Sequence, residues 1–151
     1  MQVKYKCDYE LVKGHETDSG FDLRVVDLLN GEPWEEIRKE KFKVIDKHQT
    51  LKIATSLYLE LPDNTEAIVR PKSSISSQGL LVHIGTVDEG YRGEIMVTLT
   101  NLKDRKDIIY ENQKIAQIVF QEKTKAELIE VEEIDENTSR GKGGYGSTGK
   151  F

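Results

Sequence analysis

The stretch GTVDEGYRGE, from Gly85 to Glu94, is the first candidate for catalysis in this chain. Its glycines and the extended runs beside it place Asp88 and Tyr91 on a hairpin-like loop. A carboxylate at a strand end could activate a water molecule beside a stacked ring. A single aspartate in a glycine-rich turn more often caps backbone N–H groups, and spacing alone favours that interpretation.

Two further stretches carry polar groups suited to phosphate or metal. RPKSSISSQG, which begins at Arg70, combines cations and hydroxyls that could bind phosphate oxygens, although an ordinary polar loop has the same composition. TDSGFDL places Asp18 and Asp22 around Gly20. These carboxylates could hold Mg²⁺ directly or through its water shell, or the segment could be a turn that leads into a strand. Both interpretations stay open.

The glycine-rich segment RGKGGYGSTGKF, residues 140–151, resembles a P-loop only superficially. Residues 144–150 spell G-x-x-x-x-G-K, but Phe151 follows where that motif has serine or threonine. A P-loop also lies between a strand and a helix, so that the helix N-terminus faces the phosphates. We therefore expect no P-loop here.

Composition indicates a single soluble domain. The chain has 151 residues, of which 36% are hydrophobic and 32% charged, and this length suits one core. A formal charge of -5 argues against a nucleic-acid partner, whose phosphates need a basic surface. Cys7 is the only cysteine, which fits a reducing compartment. No apolar run has the length of a signal peptide or membrane span, so we expect a cytoplasmic protein without a membrane partner.

Alternating apolar residues predict a series of strands. The run TLKIATSLYLELP has the period of two that marks a strand with one buried face. Shorter strands are predicted in TEAIVR, LLVHI, EIMVTLTN, KIAQIVF and AELIEV. Short, evenly spaced strands with turns between them are typical of an antiparallel sandwich or barrel.

Two segments depart from this pattern. GEPWEEIRKEKF has Pro33 placed to open a helix, with acids early and bases late, so we expect a short helix or a decorated loop. From Asp135 onward, Tyr145 and Phe151 are the only large apolar residues. Such a segment cannot order itself on a core of its own.

The order of five stretches carries more information than any one of them. TDSGFDL, RPKSSIS, GTVDEGYRGE, NQKIAQIVF and RGKGGYGSTG resemble, one after another, the five motifs of the trimeric deoxyuridine triphosphatases (dUTPases). The resemblance runs from about residue 15 to 149. It implies an all-β, antiparallel jelly-roll-like sandwich that hydrolyses dUTP to dUMP and pyrophosphate. This activity keeps uracil out of DNA and supplies dUMP for dTMP synthesis.

The resemblance also implies an assembly and a domain organisation. Family members form homotrimers whose active sites lie at subunit contacts and use motifs of all three chains. A β domain over residues 1–134, with an insertion around 28–47, would precede a flexible glycine-rich lid over residues 135–151. The lid would be loose in the free protein and would close on the nucleotide.

The same resemblance assigns roles to single residues. Asp88 would hold and polarise the water that attacks the α-phosphorus, and Asp22 would approach Mg²⁺ through a bound water while the triphosphate holds the metal. Mg²⁺ would neutralise charge on the leaving pyrophosphate. The implied uracil- and deoxyribose-binding residues are Gly85, Thr86, Val87, Tyr91 and Tyr145. The implied phosphate-binding residues are Lys72, Ser73, Ser74, Gln117, Arg140, Gly146, Ser147 and Thr148.

Several positions depart from the family pattern. Lys72 stands where arginine is usual, which keeps the charge but loses the bidentate fork. The fourth motif begins NQK instead of glycine, an acid and arginine, and Tyr145 replaces the commonest phenylalanine. The role of Lys72 stays open. His83 could edge the base pocket, but we expect a strand histidine satisfied by backbone.

Other functions remain as alternatives. A dCTP deaminase of the same fold would direct water at the cytosine ring, although DEGYRGE and the complete fifth motif look like the hydrolase version. A phage relative could bind a regulatory protein, such as a repressor, through the 28–47 insertion. A zinc deaminase is not expected, because the sequence has no histidine and cysteine cluster.

Overall fold

The computed structural model describes residues 1–28, 33–147 and 149. Their strands are β1 (Lys4–Lys6), β2 (Phe21–Arg24), β3 (Asp27–Leu28), β4 (Glu35–Ile37), β5 (Glu40–Ile45), β6 (Thr50–Ala54), β7 (Tyr58–Glu60), β8 (Thr65–Pro71), β9 (Leu80–Val82), β10 (Gly85–Val87), β11 (Met96–Asn101), β12 (Asp107–Tyr110) and β13 (Lys114–Glu122). Helix α1 (Ser73–Ser76) is the single helix of these ranges. No helix found there is long and apolar enough to cross a membrane.

Two four-stranded sheets form the body of the fold. One has the strand order β10-β8-β13-β2 and the other has the order β3-β6-β11-β9. A three-stranded sheet, β12-β5-β4, and the pair β1-β7 complete the described part of the chain. All of these pairings are antiparallel. The predicted antiparallel all-β fold is therefore confirmed.

The core lies between the inward faces of the two four-stranded sheets. Burial alternates along their strands, as in β11, where Val97, Leu99 and Asn101 are buried and the residues between them are half-exposed. Leu99 from one sheet and Ile118 from the other belong to the same buried apolar cluster. Two sheets that share a core in this way form a β-sandwich.

The predicted single strand in TLKIATSLYLELP is wrong, because β6 and β7 replace it and join different sheets. Between them, Ser56 has a φ of 55°, which interrupts regular pairing. The buried Thr55 hydroxyl donates to the Ile95 carbonyl at 2.6 Å and helps to fix the bend. The period of two continues through the bend, so the pattern in the sequence concealed it.

The predicted helix or loop in GEPWEEIRKEKF is also wrong, because this segment contributes to the β4–β5 hairpin. Arg38 and Lys39 connect the two strands with φ values of 53° and 70°. Positive φ at both central residues suits a two-residue hairpin turn of type I′. β5 then pairs with β12, which places most of the predicted 28–47 insertion in the three-stranded sheet. Residues 29–32 of that insertion lie outside the described residues.

The predicted strand in AELIEV is wrong as well, since no strand follows β13 in the described part of the chain. Leu128, Ile129 and Ile134 are 93%, 77% and 76% exposed. Among the described residues, the hydrogen bonds and ion pairs of the segment after residue 126 all stay within that segment. The apolar residues of AELIEV suggest a strand, but in the described part of the single chain this segment pairs with no sheet.

Leu99→Ala is expected to lower the free energy of unfolding by about 2–5 kcal/mol, because it leaves a cavity in the core. Leu102→Ala is the matched control, since Leu102 is 56% exposed and should cost no more than about 1 kcal/mol. Urea unfolding followed by circular dichroism measures both. Equal losses in the two variants would contradict the assignment of the core.

Candidate active site

Four of the five predicted motifs lie on or beside one sheet, β10-β8-β13-β2. Its register places Gln117 of β13 opposite Arg70 of β8 on one side and Asp22 of β2 on the other. At the sheet edge, Gly85 of β10 lies opposite Val69 of β8. Strand pairing therefore gathers residues that are far apart in the sequence.

A cleft of about 240 Å³ opens where β10 leads into the following loop; we call it the edge cleft. β10 is an edge strand, so its outer backbone N–H and C=O groups have no strand partner among the described residues. The cleft combines these backbone groups with an aromatic ring and carboxylates. Its lining residues are Val69, Gly85, Thr86, Val87, Asp88, Tyr91, Glu94, Ile95 and Met96.

Two carboxylates hold the loop that follows β10. Glu89 accepts a hydrogen bond from the Asn64 backbone N–H at 2.7 Å and forms an ion pair with Lys123 at 3.0 Å. The hydrogen bond from Lys123 lowers the pKa of the Glu89 carboxyl. Glu94 accepts a hydrogen bond from the Ser56 backbone N–H at 2.6 Å. Both acids are thus engaged in fixing the loop.

Asp88 differs from Glu89 and Glu94. It is exposed, and its carboxylate makes no hydrogen bond within the described part of the chain. Its backbone carbonyl accepts from the Tyr91 N–H at 3.0 Å, which closes a turn. The turn agrees with the glycine-rich sequence, yet the side chain of Asp88 does not cap it. An exposed carboxylate of this kind can accept a hydrogen bond from water.

The ring of Tyr91 lies in the edge cleft, in space that is free because Gly93 has no side chain. The Tyr91 hydroxyl donates to the Glu94 carbonyl at 3.1 Å, and the ring lies against Gly93. A Cβ atom at residue 93 would lie 2.6 Å from Cζ of Tyr91, well inside van der Waals contact. The ring can take this position only beside glycine.

A second cleft, of about 490 Å³, lies beside β8 and β13; we call it the basic cleft. Helix α1 begins there at Ser73, so its first N–H groups have no acceptor inside the helix. Gln117 donates through Nε2 to the Pro71 carbonyl at 3.0 Å. The lining residues are Asp18, Ser19, Arg70, Lys72, Ser73, Ser74, Gln117 and Val119.

Asp22 is a buried carboxylate between two lysines. It is 3% exposed; Lys72 pairs with its Oδ1, and Lys114 Nζ lies 2.7 Å from its Oδ2. Burial alone would raise the pKa of this carboxyl, but the neighbouring ammonium groups of Lys114 and Lys72 outweigh burial and lower the pKa. Asp22 is therefore ionised at neutral pH. Its Oδ1 accepts a hydrogen bond from Lys72, whereas its Oδ2 lies within ion-pair distance of Lys114 and accepts no hydrogen bond of good geometry among the described residues.

The described residues contain no group of three histidine, cysteine, aspartate or glutamate side chains that could hold a metal ion. Asp22 is the residue expected to approach Mg²⁺ through a bound water. Each of its carboxylate oxygens lies beside an ammonium group, that of Lys72 or that of Lys114. Oδ2 of Asp18 accepts a hydrogen bond from the His15 N–H at 2.9 Å. This donor set does not fit Mg²⁺ held by the protein, because that ion requires available oxygen ligands in octahedral geometry.

The edge cleft and the basic cleft share no lining residue. The edge cleft wraps around the sheet edge, because Val69 lines it from the core face while Thr86, opposite Ile68, lies on the face that also carries Arg70. Residues expected to bind one nucleotide are therefore divided between two clefts of a single chain.

Of the predicted residues of the fifth motif, those that the structure describes line neither cleft. Arg140 Nε donates to a backbone carbonyl three residues later at 2.8 Å, which stabilises a local turn. Tyr145, Gly146 and Ser147 are exposed, and Thr148 lies outside the described residues. Within one chain, the structure does not bring this motif to the other four.

His83 does not border either cleft. Its Nε2 lies 2.8 Å from the Thr100 hydroxyl, across the β9–β11 pair. The ring is therefore partnered by a side chain, which corrects the expectation of a backbone partner. The backbone N–H of His83 donates to the Thr98 carbonyl at 2.9 Å.

Several residues that shape the site were not singled out from the sequence. Glu94 and Gly93 lie inside a quoted motif, but spacing reveals neither the hydrogen bond from Ser56 to Glu94 nor the contact of the Tyr91 ring with Gly93. Gly20 allows Gln117 to approach, since a Cβ atom at residue 20 would lie 3.0 Å from Cβ of Gln117. Lys114 was visible only as the last residue of NQK, a departure from the family pattern.

The sandwich, the edge cleft and the basic cleft define an all-β protein with a polar backbone edge and a separate cationic cleft. A family model described as dUTPase matches residues 11–149. The deoxyuridine 5'-triphosphate nucleotidohydrolase of Clostridium kluyveri is 41% identical over 89% of this chain and 86% of that protein. The protein of the same name from Alkaliphilus metalliredigens is 37% identical, and the match covers 89% of this chain and 85% of that protein. The chain therefore belongs to the dUTPase family, as the five motifs predicted.

Solved structures show the same fold. The dUTPase of Staphylococcus bacteriophage 80alpha, with dUPNHPP, has a TM-score of 0.82 and 20% identity, covering 98% of each chain. EIAV dUTPase has a TM-score of 0.68 and 29% identity, covering 91% of this chain and 99% of that one. The predicted enzyme family and its antiparallel fold are confirmed.

Gly93→Ala is expected to lower kcat/KM for dUTP by roughly tenfold, because the new methyl group displaces the Tyr91 ring and small misplacements in a site are costly. Gly90→Ala is the matched control in the same loop, since a Cβ there meets no atom within 4 Å. Steady-state pyrophosphate release measures both. Wild-type kinetics in Gly93→Ala would contradict the role given to this glycine.

Proposed function

We propose that the protein hydrolyses dUTP to dUMP and pyrophosphate, with Asp88 orienting and deprotonating the attacking water. The water oxygen bonds to the α-phosphorus, and the bond to the oxygen that bridges to the β-phosphate breaks. Pyrophosphate leaves while Asp88 accepts the proton. The observation that carries this proposal is the Asp88 carboxylate, which has no hydrogen-bond partner among the described residues and lies beside Tyr91 and an edge strand in one cleft.

The outer edge of β10 supports recognition of uracil. An edge strand alternates free N–H donors and C=O acceptors, and uracil presents acceptor, donor and acceptor groups along O2, N3–H and O4. The backbone of Gly85, Thr86 and Val87 can pair with that sequence of groups. Cytosine would leave buried groups unpaired, a mismatch that discriminates strongly. A close backbone edge would also exclude the methyl group of thymine.

Tyr91 supplies discrimination at the sugar in this proposal. Its ring is held by its hydroxyl bond to the Glu94 carbonyl and by contact with Gly93. A ring packed on the deoxyribose leaves no space for a 2′-hydroxyl, so UTP would be a poor substrate.

The basic cleft would take the phosphates. Arg70 and Lys72 bring positive charge, while the hydroxyls and N–H groups of Ser73 and Ser74 and the amide of Gln117 bring directional donors. From the fifth motif, Arg140, Gly146, Ser147 and Thr148 would join the phosphates and Tyr145 would cover the base. The exposure of Arg140, Tyr145, Gly146 and Ser147 in the single chain is compatible with a lid over residues 135–151 that closes on the ligand.

A homotrimer would reunite these groups. In one chain the edge cleft and the basic cleft share no lining residue, and the described residues of the fifth motif line neither. A site built from the edge cleft of one subunit, the basic cleft of a second and the lid of a third would complete all five motifs. The separation of the clefts supports this assembly.

Mg²⁺ would enter with the nucleotide in this proposal, since the described residues offer no metal-binding cluster. A bound Mg²⁺ neutralises charge on a leaving pyrophosphate. In a cell, the reaction would keep uracil out of DNA and supply dUMP for dTMP synthesis, with a cytoplasmic location.

The activity is tested by offering the protein dUTP, dCTP, UTP and dTTP in separate reactions with Mg²⁺ and measuring pyrophosphate and the base of each product. Pyrophosphate from dUTP alone is expected. Formation of a uracil product from dCTP would support the deaminase alternative instead. Turnover of none of the four would contradict the proposed function.

Asp88→Asn is expected to lower kcat for dUTP by about 10²–10⁴-fold, because the amide cannot accept the proton. Affinity for a non-hydrolysable imido analogue of dUTP should stay within about threefold, since the pocket is retained. Single-turnover kinetics and calorimetry separate the two quantities. Retained turnover would show that Asp88 is not the base.

Truncation after Ser139 should leave the urea midpoint unchanged, because the removed residues make no described contact with the core. It should lower kcat/KM for dUTP by roughly 10²-fold, through loss of groups that orient the triphosphate. Normal hydrolysis by the truncated protein would contradict the lid.

A further inference from the structure

The ion cluster of Asp22, Lys72 and Lys114 has more positive than negative charge in a protected position. Asp22 is 3% exposed, whereas the side chains of Lys72 and Lys114 are 25% and 40% exposed. One anion therefore lies beneath two cations that still reach solvent. A buried charge is costly unless it is paired, so Asp22 keeps both ammonium groups near the sheet.

Three strands of one sheet build this cluster. Asp22 lies on β2, Lys72 follows the end of β8, and Lys114 begins β13. The register of β13 against β2 shifts between Lys114 and Ala116, and such a bulge redirects a side chain. The geometry thus aims both lysines at one carboxylate.

We propose that Asp22 is a positioning residue whose charge is committed to Lys72 and Lys114, and that Lys114 is a further phosphate-binding residue of the site. The inference rests on the proposed function for the identity of the ligand, a nucleoside triphosphate. It replaces the expected role of Asp22 toward Mg²⁺ with a role toward two ammonium groups.

The chemistry of lysine supports this assignment. Each ammonium group has three N–H donors. Lys72 uses one of them on Asp22, and Lys114 makes an ion pair with the same carboxylate, so both lysines keep donors for a ligand. Lys72 lines the basic cleft with Arg70, and Lys114 shares Asp22 with it. A hydrated divalent cation approaching Asp22 would meet both ammonium charges, whereas a polyphosphate would meet a net positive cluster.

Both lysines stand in motifs where the family usually has arginine. An arginine offers a rigid fork, but lysine is a point charge on a flexible stem. A lysine therefore depends more on an anchor that holds it in place. Lys72 and Lys114, the lysine of NQK, are two departures from the family pattern. Both contact the buried carboxylate of Asp22, so one cause explains both departures.

The test measures calorimetric affinity for inorganic triphosphate in excess EDTA, so that no metal takes part. Lys114→Met is expected to weaken this binding by roughly tenfold through loss of a charge-assisted contact, and Lys114→Arg should restore it to within about threefold. Lys106→Met is the matched control, since Lys106 pairs with Asp46 on the surface at 3.1 Å with 73% of its side chain exposed. It should bind like the wild type.

Asp22→Asn separates the two roles of the carboxylate. The Mg²⁺ concentration that gives half-maximal dUTP turnover should stay within about twofold of the wild type. In the Asp22→Asn background, Lys114→Met should have a clearly smaller effect on triphosphate affinity, because an unanchored lysine contributes less; such non-additivity marks coupled residues. Urea unfolding of each variant confirms that the fold is retained.

Wild-type triphosphate affinity in Lys114→Met, additive effects in the double variant, or a several-fold rise in the Mg²⁺ requirement of Asp22→Asn would each overturn the inference. These outcomes are distinct from a failure of the proposed function. In that case the wild type would not hydrolyse dUTP, although the binding of triphosphate and its dependence on Lys114 could still be measured.

Discussion

The antiparallel pairing of β8 with β13 is the constraint on which the site depends. It runs from Ala116 opposite Pro71 to Glu122 opposite Thr65, in the centre of the sheet β10-β8-β13-β2. A shift of one residue would exchange the two faces of a strand. Val69 would then leave the edge cleft and Arg70 the basic cleft. Register thus sets both the core and the chemistry.

That sheet also explains why a single chain is an incomplete catalyst in this account. The edge cleft at β10 and the basic cleft beside β8 and β13 share no lining residue, so a single chain keeps their functional groups apart. The exposed apolar side chains after residue 126 and the locally bonded tail likewise lack partners in one chain. Association of several chains is a simple way to satisfy all three features.

The sequence predicted the fold class and the family well, because alternation and motif order are local signals. It predicted a short helix or a decorated loop where GEPWEEIRKEKF forms part of a hairpin, because β4 is exposed along its whole length and so shows no alternation of buried and exposed residues. It also missed the anchoring of the loop after β10 by Glu89 and Glu94. Those bonds reach Asn64 and Ser56, and contacts at such separations depend on the tertiary fold.

The central claim is that water attacks the α-phosphorus of dUTP. Hydrolysis in ¹⁸O-enriched water, followed by mass spectrometry of both products, tests it most directly. The account predicts one ¹⁸O atom in the phosphate of dUMP and none in pyrophosphate. Label found in pyrophosphate would place the attack on the β-phosphorus and would contradict the account.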